Sequence, residues 1–158
     1  DSSGGAGIQA DLKTFSALGC YGMSVLTALP VQNTTGVKAI YDIPTACVAE
    51  QIAAIFEDSR VDAIKIGMLQ RQDIIETVAD ALVKERPRNL VIDPVMVAKS
   101  GHLLLKRDAI AAMKNRLFPL ATLITPNLME ASELLGRPIE CKEQMEQAAI
   151  DLLRMGPK

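Results

Sequence analysis

Short apolar runs alternate with amphipathic stripes along almost the whole chain, and this alternation most narrows what the chain can fold into. Ile8, Leu12, Phe15 and Leu18 repeat at helical spacing and stop at Gly19. Ser24 to Leu29 (SVLTAL) then reads as a short buried strand, followed by a polar, turn-forming stretch from Gln32 to Gly36. Val48, Ile52, Ile55 and Phe56 make a second helical stripe, entered through Pro44. Asp62 to Met68 (DAIKIGM) reads as a strand, and Ile74, Ile75, Val78, Leu82 and Val83 as a helix ending before Pro87. The rhythm continues with a strand at Leu90–Ile92, a helix through Ile110, Met113 and Leu117 that stops at Pro119, and a strand at Leu123–Thr125. A short helix from Leu128 to Leu135, capped by Gly136, and a longer one from Lys142 to Met155 follow.

Strands that are continuously apolar, rather than alternating in and out, belong to a mostly parallel sheet covered on both faces. The predicted architecture is therefore a single three-layer α/β/α domain over residues 1–158. No linker, charge run, low-complexity segment or internal repeat divides it. The rhythm calls for a strand before the first glycine-rich loop and another after the last helix and its tail, Gly156-Pro157-Lys158. The sequence pattern thus predicts a domain incomplete at both ends. Ligands of such sheets bind beyond the carboxyl ends of the strands. That directs attention to positions 30–36, 67–72, 93–102 and 125–130.

Composition removes several function classes. With 17 Lys+Arg against 19 Asp+Glu and a formal net charge of −2, no basic field invites a nucleic acid. Three Phe, two Tyr and no Trp leave little for base stacking. No apolar run reaches the roughly 18 residues that cross a bilayer. His102 is the only histidine, which excludes a multi-histidine metal site; it has no evident orienting partner. Cys20, Cys47 and Cys141 are odd in number and widely spaced, so they read as small apolar residues in a reducing, cytoplasmic setting.

Four loops could carry chemistry. Asp1-Ser2-Ser3-Gly4-Gly5-Ala6-Gly7 runs into the first helix, where glycines admit a close backbone approach and helix-start amides favour acceptors. It matches neither the P-loop nor the dinucleotide fingerprint, and a turn capped by Ser or Asp is the plainer reading. Gln32-Asn33-Thr34-Thr35-Gly36 places an amide, donor and acceptor at once, beside a possible heterocycle; a simple turn is the alternative. Asp93 stands at a strand's carboxyl end with Lys99 in the same loop; turn carboxylate and solvated lysine are the plain readings. Asn127 and Glu130 have capping-box spacing, which favours a structural role, yet the carboxylate also lies where magnesium and phosphate would gather. Met68 is by default a core residue, though it could wall a flat ligand.

In this order the segments carry more than they do singly. Ser2-Ser3-Gly4-Gly5-Ala6-Gly7-Ile8-Gln9-Ala10-Asp11-Leu12-Lys13-Thr14, Val31-Gln32-Asn33-Thr34, Lys65-Ile66-Gly67-Met68-Leu69, Asp93-Pro94-Val95-Met96, Lys99-Ser100-Gly101 and Thr125-Pro126-Asn127-Leu128-Met129-Glu130-Ala131 together resemble the hydroxymethylpyrimidine/phosphomethylpyrimidine kinases of the ribokinase-like superfamily. The resemblance covers nearly all of the chain. It implies ATP- and Mg2+-dependent phosphorylation of 4-amino-5-hydroxymethyl-2-methylpyrimidine, then of its monophosphate, in thiamine biosynthesis. It also implies roles: Gln32 hydrogen-bonds the pyrimidine; Gly5, Asp11 and Met68 lie on the substrate side. Asp93, Lys99 and Asn127 lie in the phosphate region, and Glu130 helps hold magnesium. A homodimer is the family expectation.

Three features that the resemblance implies, a glycine-rich G-T-G-C/D segment, a K-G-G-H-type strand and an adenine pocket, are missing from the 158 residues. The glycine-rich G-T-G-C/D segment, whose amides receive the transferred phosphoryl group and whose Cys or Asp is the proposed base, does not occur. The resemblance places it beyond Lys158. It thus assigns no catalytic base within the chain, and the 158 residues alone are expected not to turn over. Two rival readings share the same residues: a pyridoxal/pyridoxine kinase of the same superfamily, and a non-catalytic pyrimidine-binding module.

Overall fold

The computed structural model of the chain describes residues 1–96 and 107–158. Three short strands, β3 (Ile64–Ile66), β4 (Leu90–Ile92) and β5 (Leu123–Ile124), form a parallel sheet in that order. Ile64 pairs with Leu90, Ile66 with Ile92, and Ile92 with Ile124. The helices are α1 (Gly7–Ala17), α2 (Thr45–Asp58), α3 (Gln72–Glu85), α4 (Arg107–Ala112), α5 (Leu128–Leu135) and α6 (Lys142–Leu153). The α/β reading and the parallel sheet therefore hold.

The core follows the apolar stripes. Ile66, Leu90 and Ile92 of the sheet are buried together with Val48 and Ile52 of α2 and Ile74, Ile75, Val78 and Leu82 of α3. Met113, Leu117 and Phe118, all fully buried, continue that core beyond α4. The sequence predicts a helix that stops at Pro119, but the helical path changes pitch instead of ending. A π-helical turn (Met113–Leu117) passes into a 3-10 turn (Phe118–Leu120) that contains the proline near its start, where its missing N–H costs nothing.

Three other expectations need correction. SVLTAL is not a buried strand: regular pairing starts only at Ala28, and no residue from 24 to 29 is fully buried. That strand, β1 (Ala28–Asn33), pairs antiparallel with β2 (Gly36–Asp42) in a separate two-stranded ribbon. β2 is absent from the sequence reading, and Thr34-Thr35 is the hairpin turn. The residues of β1 alternate between half-buried and exposed, the pattern of a ribbon with one solvated face. Finally, Cys20, Cys47 and Cys141 are all exposed free thiols, so none of them fills the core.

Candidate functional site at the carboxyl ends of the parallel strands

The glycine-rich loop is organised by its own first residue. The Asp1 carboxylate accepts hydrogen bonds from the Ser3 amide (2.8 Å), the Ser3 hydroxyl (2.7 Å) and the Gly5 amide (3.1 Å). Gly4 adopts φ 69°, and its carbonyl accepts from Lys13 Nζ at 2.9 Å. A Cβ at Gly4 would stand 2.5 Å from that ammonium, so both the backbone conformation and the contact favour glycine. Helix α1 follows without a side-chain N-cap; the aspartate serves the turn, not the helix. Gly5 thus lies with its amide held by Asp1.

Asp11 projects from α1 to the sheet. Lys65, in the middle of β3, donates to Asp11 Oδ1 and Oδ2 at 3.1 and 3.0 Å. The same ammonium lies 3.8 Å from Asp93 Oδ2, just past the end of β4. The structure therefore brings Asp11 and Asp93, expected on the substrate and phosphate sides, to one shared cation. Lys65 belongs to a resembling segment but carries no role in the sequence reading; the available signal is a charge inside the otherwise apolar run Ala63–Met68.

Met68 lies two residues beyond β3 and is half-buried rather than core, and its carbonyl accepts from Thr27 Oγ1 at 3.0 Å. That bond ties the foot of the β1/β2 ribbon to the loop after β3. A second tie joins Arg71, at the start of α3, to Asp42 at the end of β2 (3.1 Å). Arg71 also binds Asp73 through Nε at 2.9 Å. This hydrogen bond, with the guanidinium's charge, holds the Asp73 carboxyl below the usual carboxylate range. A third tie uses Gln51 of α2, which accepts from the Leu26 amide at 3.0 Å.

Gln32 is on the ribbon, not on a loop after a parallel strand. The pairing shifts between Val31, opposite Ala39, and Gln32, opposite Val37, which leaves Lys38 as the extra residue. Such a bulge turns the side chains beyond it relative to those before it. Gln32 is half-buried while its neighbours Val31 and Asn33 are exposed.

At the end of β5, Asn127 and Glu130 form the expected capping box. Asn127 Oδ1 accepts from the Met129 and Glu130 amides at 2.9 and 3.0 Å, and the Asn127 amide donates to Glu130 Oε2 at 2.9 Å. Glu130 is the only fully buried charged residue among the described residues, at 6% exposure. Its Oε2 is the oxygen that serves the cap. Lys99 and His102 lie outside the described residues.

The described residues contain no group of three or more His, Cys, Asp or Glu arranged for a metal ion. Lys158, beyond which the resemblance puts the catalytic base, is exposed and follows the turn after α6. A hollow of 540 Å³ exists at the opposite, amino-terminal edge of the sheet, between Asp62 before β3 and Asn89 before β4. Its rim carries the solvent-exposed pair Arg60–Asp62 at 3.5 Å, and no predicted site residue lines it. Asp11, Lys65 and Asp93 meet at the carboxyl edge instead.

The chain as a whole has known counterparts. The chain superposes on the solved phosphomethylpyrimidine kinase from Clostridium difficile 630 with a TM-score of 0.94 and 50% sequence identity, covering 100% of this chain and 68% of that one. It also matches Bacillus subtilis pyridoxal kinase, solved as an ADP complex, with a TM-score of 0.87 and 41% identity over 99% of this chain and 58% of that one. The fold is thus that of the ribokinase-like vitamin kinases. Within that class the chain belongs to the phosphomethylpyrimidine kinase family, whose sequence profile matches residues 1–158. The hydroxymethylpyrimidine/phosphomethylpyrimidine kinase of Escherichia coli strain K12 is 52% identical over 157 residues, 99% of this chain and 59% of that protein. The chain therefore spans about three fifths of that relative's length.

Proposed function

We propose that the protein containing this chain transfers the γ-phosphoryl group of ATP to 4-amino-5-hydroxymethyl-2-methylpyrimidine, and then to the monophosphate, in thiamine biosynthesis. The observation that carries this reading is the meeting of Asp11 and Asp93 within 4 Å of the Lys65 ammonium at the carboxyl ends of β3 and β4, in a chain 52% identical to a kinase of that name. Gln32 supplies an amide able to donate to a ring nitrogen and accept from the 4-amino group. Gly5, Asp11 and Met68 line the substrate side; Asp93, Lys99 and Asn127 belong to the phosphate side.

Mg2+ is compatible with the residues present. It ordinarily keeps several waters and takes one or two carboxylates plus substrate phosphates, so a dedicated cage is not required. Glu130, a buried carboxylate whose Oε2 serves the cap, is suited to hold the ion through water. The ion would neutralise charge on the phosphates during transfer. Phosphoryl transfer relies on positioned charge and donors around the moving group. The base for the alcohol belongs, in this reading, to the G-T-G-C/D segment of the family, beyond Lys158.

Two further features complete the reading. The outward face of the ribbon carries Leu29, Val31 and Tyr41 at 45, 42 and 64% exposure, with Leu29 directly opposite Tyr41. A second copy of the chain, giving a homodimer, is the proposed cover for this face. No described helix is long and apolar enough to cross a membrane, in keeping with work on small cytoplasmic metabolites.

The test is turnover by the full-length protein on the pyrimidine alcohol and on pyridoxal under identical conditions. A higher kcat/KM for the pyrimidine is expected. A large preference for pyridoxal would move the protein to the sister activity, and pyrimidine binding without nucleotide binding would make it a non-catalytic module. Sedimentation of the unsubstituted protein beside Tyr41→Glu checks the dimer, with a shift to monomer expected in the variant.

A further inference from the structure

We propose that Lys65 is a positioning residue: it clamps Asp11 against the end of β3 and, by standing between Asp11 and Asp93, sets the separation of the alcohol-binding wall from the phosphate edge. The inference rests on the kinase reading above and deepens it.

Four observations support it. First, Lys65 occupies the middle of a three-residue parallel strand between Ile64 and buried Ile66, with its side chain only 27% exposed. A lysine in such a place needs charged partners to offset its desolvation. Second, the ammonium spends two donors on the two oxygens of one carboxylate, and Asp93 at 3.8 Å provides the second opposite charge. Third, the residue that follows Ile66 is Gly67, where a Cβ would come within 3.2 Å of Lys65 Nζ. Glycine there leaves the ammonium its room. Fourth, α1 has no fully buried residue, and the other side-chain hydrogen bonds of the glycine-rich loop and α1 are local. Among the described residues, the Lys65–Asp11 pair is the only side-chain hydrogen-bond link from α1 to the rest of the fold.

The physical consequence is twofold. With Lys65 in place, two carboxylates are held near one positive charge and α1 has a fixed register on the sheet. Without it, two like charges face each other across the same gap and repel, and no side-chain hydrogen bond retains α1. Asp11 then moves relative to Asp93, so the alcohol loses alignment and affinity before the nucleotide does.

The experiment is a kinetic comparison in the full-length protein of Lys65→Met, Lys65→Arg and Gly67→Ala, with Asp11→Asn alone and combined with Lys65→Met. Lys65→Met is expected to raise KM for the alcohol about tenfold or more while KM for ATP moves less than about twofold. Lys65→Arg, which keeps the charge and can meet both oxygens of Asp11, is expected to recover most of the loss. Gly67→Ala, which crowds the ammonium without removing it, should give an intermediate rise and serves if Lys65→Met does not fold. The double variant should be no worse than the poorer single variant, in alcohol KM and in thermal unfolding alike. A purely structural ion pair would lower the unfolding temperature and leave the ratio of the two KM values unchanged; that result, or strictly additive single effects, overturns the inference. Failure of the kinase reading is separately visible, because the unsubstituted protein would then not phosphorylate the pyrimidine, and the unfolding cycle would still judge the Lys65–Asp11 coupling.

Discussion

Every fully buried side chain among the described residues lies at position 48 or beyond, whereas residues 1–42 contain none. The later region is a packed core around β3, β4 and β5. The earlier one, with the glycine-rich loop, α1 and the β1/β2 ribbon, is attached by the packing of half-buried Val25 on the core and by separate polar ties: Lys65–Asp11, Thr27–Met68, Gln51–Leu26 and Arg71–Asp42. Most residues proposed to recognise the substrate belong to the weakly packed region; of those proposed for phosphate and metal, Asp93 is half-buried just past β4 and Glu130 is buried at the start of α5, whereas Asn127 is exposed. In the proposed assignment, recognition therefore falls where small changes in hydrogen bonding can move a side chain.

The sharpest way to break this division is to empty the core. Phe118→Ala removes a fully buried ring and is expected to cost about 3–5 kcal/mol, measured by denaturant unfolding. If it costs no more than cutting a tie, the division is wrong. Asn127→Ala removes both acceptor bonds of the α5 cap and should cost about 1 kcal/mol, with a larger fall in Mg2+-dependent turnover than stability explains. Thr27→Val deletes the donor to the Met68 carbonyl; roughly 1 kcal/mol or less is expected. Its effect should appear as faster amide exchange confined to residues 28–42, with exchange in β3 and β4 unchanged.

The smallest effect concerns acid. The carboxyl of Asp73 is held low in the folded protein by its hydrogen bond to Arg71, so the protonated form is favoured more in the unfolded chain. The resulting stabilisation is present above the unfolded value of about 3.9 and is lost as the pH falls through the lower folded value. Asp73→Asn should therefore flatten the pH dependence of the unfolding temperature below about pH 4 and leave it unchanged near neutrality. Because the Asp73 side chain is about half exposed to solvent, the change will be slight.

What is legible in the sequence follows from the same contrast. The stripe of α3 and the Asn127-to-Gly136 frame of α5 can be read because each is a local pattern, one of burial repeating every three or four residues and the other of caps at both ends. The ribbon escapes such reading because Ser24–Leu29 is apolar enough for a core strand, while the true pairing partner, Gly36–Asp42, comes later and leaves one face of the ribbon solvated. Asp11, Asp93, Asn127 and Glu130 stand out as candidates through residue type, place beside strand ends and the family segments. The cation shared by the two aspartates does not, because Lys65 and Asp11 are 54 positions apart and only the folded sheet brings them together. The bulge that turns Gln32 is equally hidden, since nothing in Gly36–Asp42 marks Lys38 as supernumerary.

That supernumerary residue has an evolutionary corollary. A hairpin that already tolerates one unmatched position, with its tip outside the hydrophobic interior, can gain or lose residues there without disturbing the scaffold. Sequence change at this ornament leaves the underlying chassis the same.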